Sequence, residues 1–121
     1  MHLIGQRWEF RIGNSIVKVD NAFSWSLWGQ ERMLVNEEAV QKSGGRLRHS
    51  QTFKEPWLTM LGEGELRVRL LGKARLYCTA TLDGEEVPAH EIFEARWRGP
   101  AHSWPDEAEW KPQEPGKGWA R

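Results

Sequence analysis

The chain is poor in cysteine, in helical periodicity and in net charge, and each shortage excludes something. Cys78 is the single cysteine in 121 residues, so an intramolecular disulfide is impossible and a reducing, cytoplasmic setting is expected. The opening residues, Met1-His2-Leu3-Ile4-Gly5-Gln6-Arg7, contain no apolar leader core. No apolar run approaches the roughly 20 residues of a membrane span, so no membrane partner is expected. Formal net charge is zero, which removes any global pull toward nucleic acid. No segment carries an extended helical stripe. Beyond Arg98 there is no Val, Ile, Leu, Met or Phe at all.

What the chain does have is tryptophan, eight in total, in two settings. Trp8, Trp25, Trp28 and Trp57 lie in a body with strand-like alternation. Trp97, Trp104, Trp110 and Trp119 lie in or beside a Pro- and Gly-rich tail. In the body, Trp8, Phe10 and Ile12 alternate with Arg7, Glu9 and Arg11, the period of a half-buried strand. Gly13-Asn14 reads as a tight hairpin turn into Ile16 to Asp20. Phe23, Trp25 and Leu27 read as one face of a further strand, with Trp8 and Trp25 as core residues. Gly29-Gln30 and Asn36-Glu37 read as turns.

Glu37 to Gln41 and the polar stretch Leu47 to Phe53 read as strands, the latter ending at Pro56. The clearest alternations are Leu66, Val68, Leu70 against Glu65, Arg67, Arg69, and Leu76, Cys78, Ala80, Leu82 against Tyr77, Thr79, Thr81. Asp83-Gly84 is a strong hairpin signal. Val87 and Ile92 to Trp97 add a return strand and a final strand or short helix. Short strands at this spacing imply an antiparallel β-sandwich or open barrel of about seven or eight strands. The body spans residues 1–98. Residues 99–121 form a Pro/Trp-rich C-terminal extension in which proline prevents long regular structure.

The order of elements resembles the Fas apoptotic inhibitory molecule family. The resemblance rests on Trp8-Glu9-Phe10, the Gly13-Asn14 turn into Ile16-Val17-Lys18-Val19, and Trp28-Gly29-Gln30-Glu31-Arg32-Met33-Leu34-Val35. Phe53, Leu66 to Leu70, Tyr77 and Leu82-Asp83-Gly84-Glu85 complete it. It covers residues 7–88 and omits the tail, and Asn36-Glu37 stands where the family has Asp-Gly. It implies a compact antiparallel β-domain that acts through protein contacts rather than catalysis. It carries over no functional residues.

No constellation for chemistry emerges. His2, His49, His90 and His102 share no close spacing, and His90, Glu91 and Glu94 read as surface residues, so no metal is expected. Cys78 sits on an apolar strand face, where a thiol behaves as a small hydrophobe. Ser24 and Ser26 lack a nucleophile elbow. Glu37-Glu38, Glu85-Glu86 and Asp106-Glu107 read as solvated turn carboxylates. No catalytic residue and no cofactor is assigned.

Charge is uneven along the chain. Lys42 to Arg75 holds eight Lys/Arg against three Asp/Glu, and Leu76 to Arg121 five against nine. Arg46, Arg48, Lys54, Arg67, Arg69, Lys73 and Arg75, with Phe53, Trp57 and Tyr77 among them, have the makings of a single-strand binder, but the neutral total argues against nucleic acid.

The tail cannot fold alone. Three tryptophans against some twenty residues that each cost roughly 1–2 kcal/mol to order leave no surplus. It must therefore dock, on its own body or on a partner subunit. The resulting expectation is a non-enzymatic binding or protein-interaction domain that self-associates, with Trp28, Trp57, Trp104, Trp110 and Trp119 as candidate binding residues. One alternative is a carbohydrate-binding module with Trp28 and Trp57 as stacking platforms for a glycan. Another is a small β-barrel enzyme with a pocket around His49 or His90.

Overall fold

The computed structural model describes residues 1–46, 56–72 and 76–113. The expected strand at Leu47 to Phe53 and candidate Trp119 lie outside these residues. Among the described residues ten strands form an antiparallel β-sandwich. They are β1 (His2–Ile12), β2 (Ser15–Ser24), β3 (Trp28–Val35), β4 (Glu38–Arg46), β5 (Trp57–Leu61), β6 (Gly64–Gly72), β7 (Leu76–Leu82), β8 (Glu85–Val87), β9 (Glu91–Arg98) and β10 (Lys111–Pro112). One sheet has six strands in the order β10-β9-β1-β2-β3-β4, and the other has four in the order β5-β6-β7-β8. No helix among the described residues is long and apolar enough to cross a membrane.

The alternation read from the sequence builds the core. Trp8, Phe10 and Ile12 of β1, Val17 and Val19 of β2 and Met33 of β3 meet Leu66, Val68 and Leu70 of β6 and Leu76 and Ala80 of β7. Cys78 packs against this cluster, and burial pushes its thiol pKa up, so it stays protonated and unreactive.

The turns follow the expected chemistry at three places. Gly13 (φ 57°), the pair Asn36 and Glu37 (φ 50° and 69°) and the pair Asp83 and Gly84 (φ 49° and 86°) take the left-handed conformations of tight hairpins. The Asn36 carboxamide accepts from the Ile16 amide at 2.9 Å, and the Glu37 carboxylate pairs with Lys18. Both contacts steady a turn that lacks glycine.

Trp25 and Gly29-Gln30 differ from expectation. β2 ends at Ser24, and Leu27 (φ 69°) supplies the left-handed residue, its amide donating to the Ser24 carbonyl at 3.1 Å. Gly29 and Gln30 therefore belong to β3. Trp25 is not a core residue; it stands 71 % exposed at the hairpin tip, edge-on to Phe23.

Two strands lie outside the sequence expectations. β5 shows no apolar–polar alternation, because Leu58 and Met60 on its outward side are as apolar as Trp57 and Leu61 on the other. β10 is two residues long, below the reach of any periodicity.

One inward row of the six-stranded sheet is polar. Glu94, Gln6, Asn21, Glu31 and Ser43 stand side by side across β9, β1, β2, β3 and β4. Gln6 and Asn21 are fully buried, and their carboxamides have no hydrogen-bond partner among the described residues. Each such group costs about 1–3 kcal/mol.

Candidate functional site

The outer face of the six-stranded sheet is built of rows that run across its strands. The register aligns Ala95, Gly5, Ala22, Gln30 and Gly44 in one row. It aligns Phe93, Arg7, Asp20, Arg32 and Lys42 in the next. The first row has almost no side chains beyond Gln30, so it forms a trough. A Cβ on Gly5 would lie 2.7 Å from the Trp97 ring and 3.0 Å from that of Trp110. Glycine is needed there for close approach, not for turning.

Residues 99–113 fill this trough as a strap. It starts where the Gly99 amide donates to the Met1 carbonyl at 3.0 Å and the Met1 ammonium donates to the Gly99 carbonyl at 2.9 Å. It crosses to β3, where Gln30 binds it as another strand would. The Gln30 carboxamide oxygen accepts from the His102 amide at 2.7 Å, and its nitrogen donates to the Ser103 carbonyl at 2.6 Å. The strap then returns across β1 through the 3-10 turn Glu107–Glu109 and joins the free edge of β9 as β10. The Gln113 amide donates to the Ile92 carbonyl at 2.8 Å.

Its aromatic side chains land on the charged row. Trp104 lies over the Arg32 guanidinium at 4.5 Å and Trp110 over that of Arg7 at 4.4 Å. Trp97 of β9 fills the space between them, with ring centroids 6.0 Å and 6.1 Å away. Cations held against indole faces while shielded from water gain more than exposed ones, on the order of 2 kcal/mol.

The ions beneath are matched in number. Arg7 donates from Nε and Nη2 to the two oxygens of Asp20 at 2.6 and 2.9 Å, and from Nη1 to Glu107 at 2.5 Å. Arg32 donates to Asp20 at 2.8 Å. Two guanidinium groups and two carboxylates cancel. Burial alone would lower the Arg7 pKa, but hydrogen bonds and charge from Asp20 and Glu107 outweigh it and hold the pKa above the ordinary guanidinium value. The hydrogen bond from Arg7 leads the causes that hold Glu107 below the usual carboxylate range, with the charges of Arg7, Lys18 and Arg32 adding to it against partial burial. Glu107 keeps contact with water, because the strap leaves a depression of about 230 Å³ beside it, lined in part by Lys18 and Phe93.

Such a network is a clamp. Its two guanidinium groups are ion-paired with its two carboxylates. Among the described residues no three His, Cys, Asp or Glu side chains group as metal ligands.

The candidate tryptophans divide accordingly. Trp104 and Trp110 come together on the strap. Trp28 lies at the strap's far end, donating to Gln30 at 2.8 Å and edge-on to His102. Trp57 belongs to the other sheet and packs toward the core. Trp28 and Trp57 therefore form no shared platform. Arg7, Asp20 and Arg32 escape the sequence reading because their alternation matches a solvated face, and Glu107, expected to be a solvated turn carboxylate, is instead ion-paired with Arg7. The signal that could have found them is the trio Gly5, Ala22 and Ala95. Small residues at outward strand positions mark a face with something laid over it.

The outer face of the four-stranded sheet carries no described covering. Leu58 and Met60 of β5, Arg67, Arg69 and Leu71 of β6 and Tyr77 of β7 all stand exposed on it, Met60 at 72 %. The register sets Leu58 beside Arg67, Met60 beside Glu65 and Leu71 beside Tyr77. No family model, no curated protein and no solved structure matches this chain.

Proposed function

We propose that the protein is a non-enzymatic protein-interaction domain that presents the outer face of its four-stranded sheet. The observation that carries this reading is the unequal treatment of the two outer faces. One carries the chain's own strap over its Gly5 and Arg7 rows. The other exposes Leu58, Met60, Leu71 and Tyr77 between two arginines, in a sheet whose core is already complete without them. Large apolar side chains flanked by arginine are the composition of protein contact surfaces. The resemblance to a family that acts through protein contacts agrees with it. Trp104 and Trp110, on this reading, serve the fold by holding the strap.

Site-specific photocrosslinking in cells tests the proposal. A benzophenone side chain at Tyr77 is expected to give discrete protein adducts. The same group at Ser26, on the opposite sheet's hairpin tip, sets the background. Adducts at Tyr77 no stronger than those at Ser26 would sink the reading.

A further inference from the structure

The depression beside the strap holds an ion pair that is not made. Glu9 and Lys18 both line it, and the register sets them directly opposite each other on β1 and β2. Opposed Glu and Lys side chains on one sheet face ordinarily close on each other. Here Lys18 turns instead to Glu37 and lies 3.6 Å from Glu107. Among the described residues the Glu9 carboxylate has only Arg11, at 3.5 Å, as an ion partner. Yet the Glu9 side chain is just 10 % exposed. A carboxylate so withdrawn from water, with one loose pairing, has acceptor capacity left over.

The rest of the lining is apolar or already committed. Ile16 lies one row beyond the Glu9–Lys18 pair, and Phe93 one row before it. Trp110 closes the Phe93 end from the strap, and its indole N–H has no hydrogen-bond partner among the described residues. Arg7 and Glu107 bind each other. The four charges of the lining, Arg7 and Lys18 against Glu9 and Glu107, cancel. The row itself is polarised, however. It runs Glu91, Glu9, Lys18, negative on β9 and β1 and positive on β2. A space of about 230 Å³ lies below the roughly 300–1,000 Å³ of a drug-sized pocket and suits a smaller molecule.

We propose that this depression binds a free α-amino acid with an apolar side chain. The α-ammonium pairs with Glu9, the α-carboxylate pairs with Lys18, and the side chain lies against Phe93 and Trp110. Opposed residues have Cβ atoms about 4.5–5.5 Å apart, a separation that the two charged groups on one α-carbon can bridge. A zwitterion adds no net charge to a neutral lining, whereas a simple amine or a simple carboxylate leaves one of the two side chains unmet. Two ion contacts in an open site predict a Kd on the order of 1 mM. Trp110 and Glu107 belong to the strap, so the site exists only while the strap is docked. It shares no residue with the outer face of the four-stranded sheet and stands apart from the protein-interaction reading.

An NMR titration of isotope-labelled full-length protein with L-phenylalanine tests the site. Amides around Glu9, Lys18 and Phe93 are expected to shift and to saturate. Phenethylamine lacks the carboxylate and phenylpropionate lacks the ammonium, and each is expected to bind at least about tenfold more weakly. Glu9→Gln should weaken L-phenylalanine about tenfold and leave phenylpropionate unchanged. Lys18→Met should weaken L-phenylalanine similarly and leave phenethylamine unchanged. The spectra report folding of each variant, and the comparison of the three probes on the unaltered protein needs no variant.

No saturable shift by about 20 mM L-phenylalanine would overturn the inference. Phenethylamine binding as tightly as L-phenylalanine would make this a plain cation site and overturn it as well. Equal binding of phenylpropionate, or undiminished binding by folded Glu9→Gln, would do the same. None of these outcomes bears on the photo-adducts at Tyr77, so the two proposals fail separately.

Discussion

The two outer faces of the sandwich begin from the same alternation and end in opposite states. On the six-stranded sheet the outward residues Gly5, Arg7, Asp20 and Ala22 are charged or small, and they are covered. On the four-stranded sheet several are large and apolar, and they are exposed. The lesson is that polarity alone does not say which side of a strand meets water. Arg7 and Asp20 are buried at 2 % and 0 % side-chain exposure because each satisfies the other and the strap supplies Glu107 and the Trp110 indole to Arg7. Met60 is exposed because nothing described lies over β5.

The largest break in this comparison should come from Arg7→Met. It leaves Asp20 buried with Arg32 as its remaining partner and takes the cation from under Trp110. A loss of about 3–5 kcal/mol is expected in urea unfolding, as for one partner of a buried pair. Met60→Ser on the outer face of the four-stranded sheet should stay within about 0.5 kcal/mol in the same assay. Equal effects at the two sites would show that the strap does not bury the six-stranded face in solution.

Gly5→Ala should have a middling effect. The added methyl meets the Trp97 and Trp110 rings, and the strap must shift to admit it. A cost of about 1–3 kcal/mol is expected, with a changed tryptophan emission as the strap lifts. An unchanged spectrum and midpoint would mean that the trough has more room than its geometry shows.

The smallest effect should come from Glu107→Gln, within about 1 kcal/mol, since the carboxylate is 54 % exposed. Its sign with pH sharpens the point. The pKa of Glu107 is depressed in the folded state, so its contribution is complete above the ordinary glutamate value of about 4.3 and is lost as pH falls through the lower folded value. The Gln variant should therefore differ from wild type at neutral pH and converge with it in acid. A difference that persists in acid would place the effect elsewhere.

These contrasts also show which parts of the molecule were legible in its sequence. Trp8, Phe10, Leu66 and Val68 declare themselves because an inward side chain and its outward neighbour differ in polarity. β5 stays hidden because Leu58 and Met60 break that rule. Trp25 misleads because a left-handed Leu27 does the work assigned to Gly29. The strap's need to dock follows from its composition, but its target does not. Locating it requires Gly5, Ala22 and Ala95 side by side, and only strand register sets residues that far apart in the chain next to one another.

That register has a kinetic consequence. Gly5 pairs with Ala22 on one side and with Ala95 on the other, so β1 gains its second neighbour only when almost the whole chain is available. Contacts between such distant positions fold slowly, because a long loop must close before they form. Until β9 arrives, β1 is itself an open edge bearing Trp8 and Phe10. Pairing of β1 with β9 should therefore come after the β1–β2–β3 meander has formed.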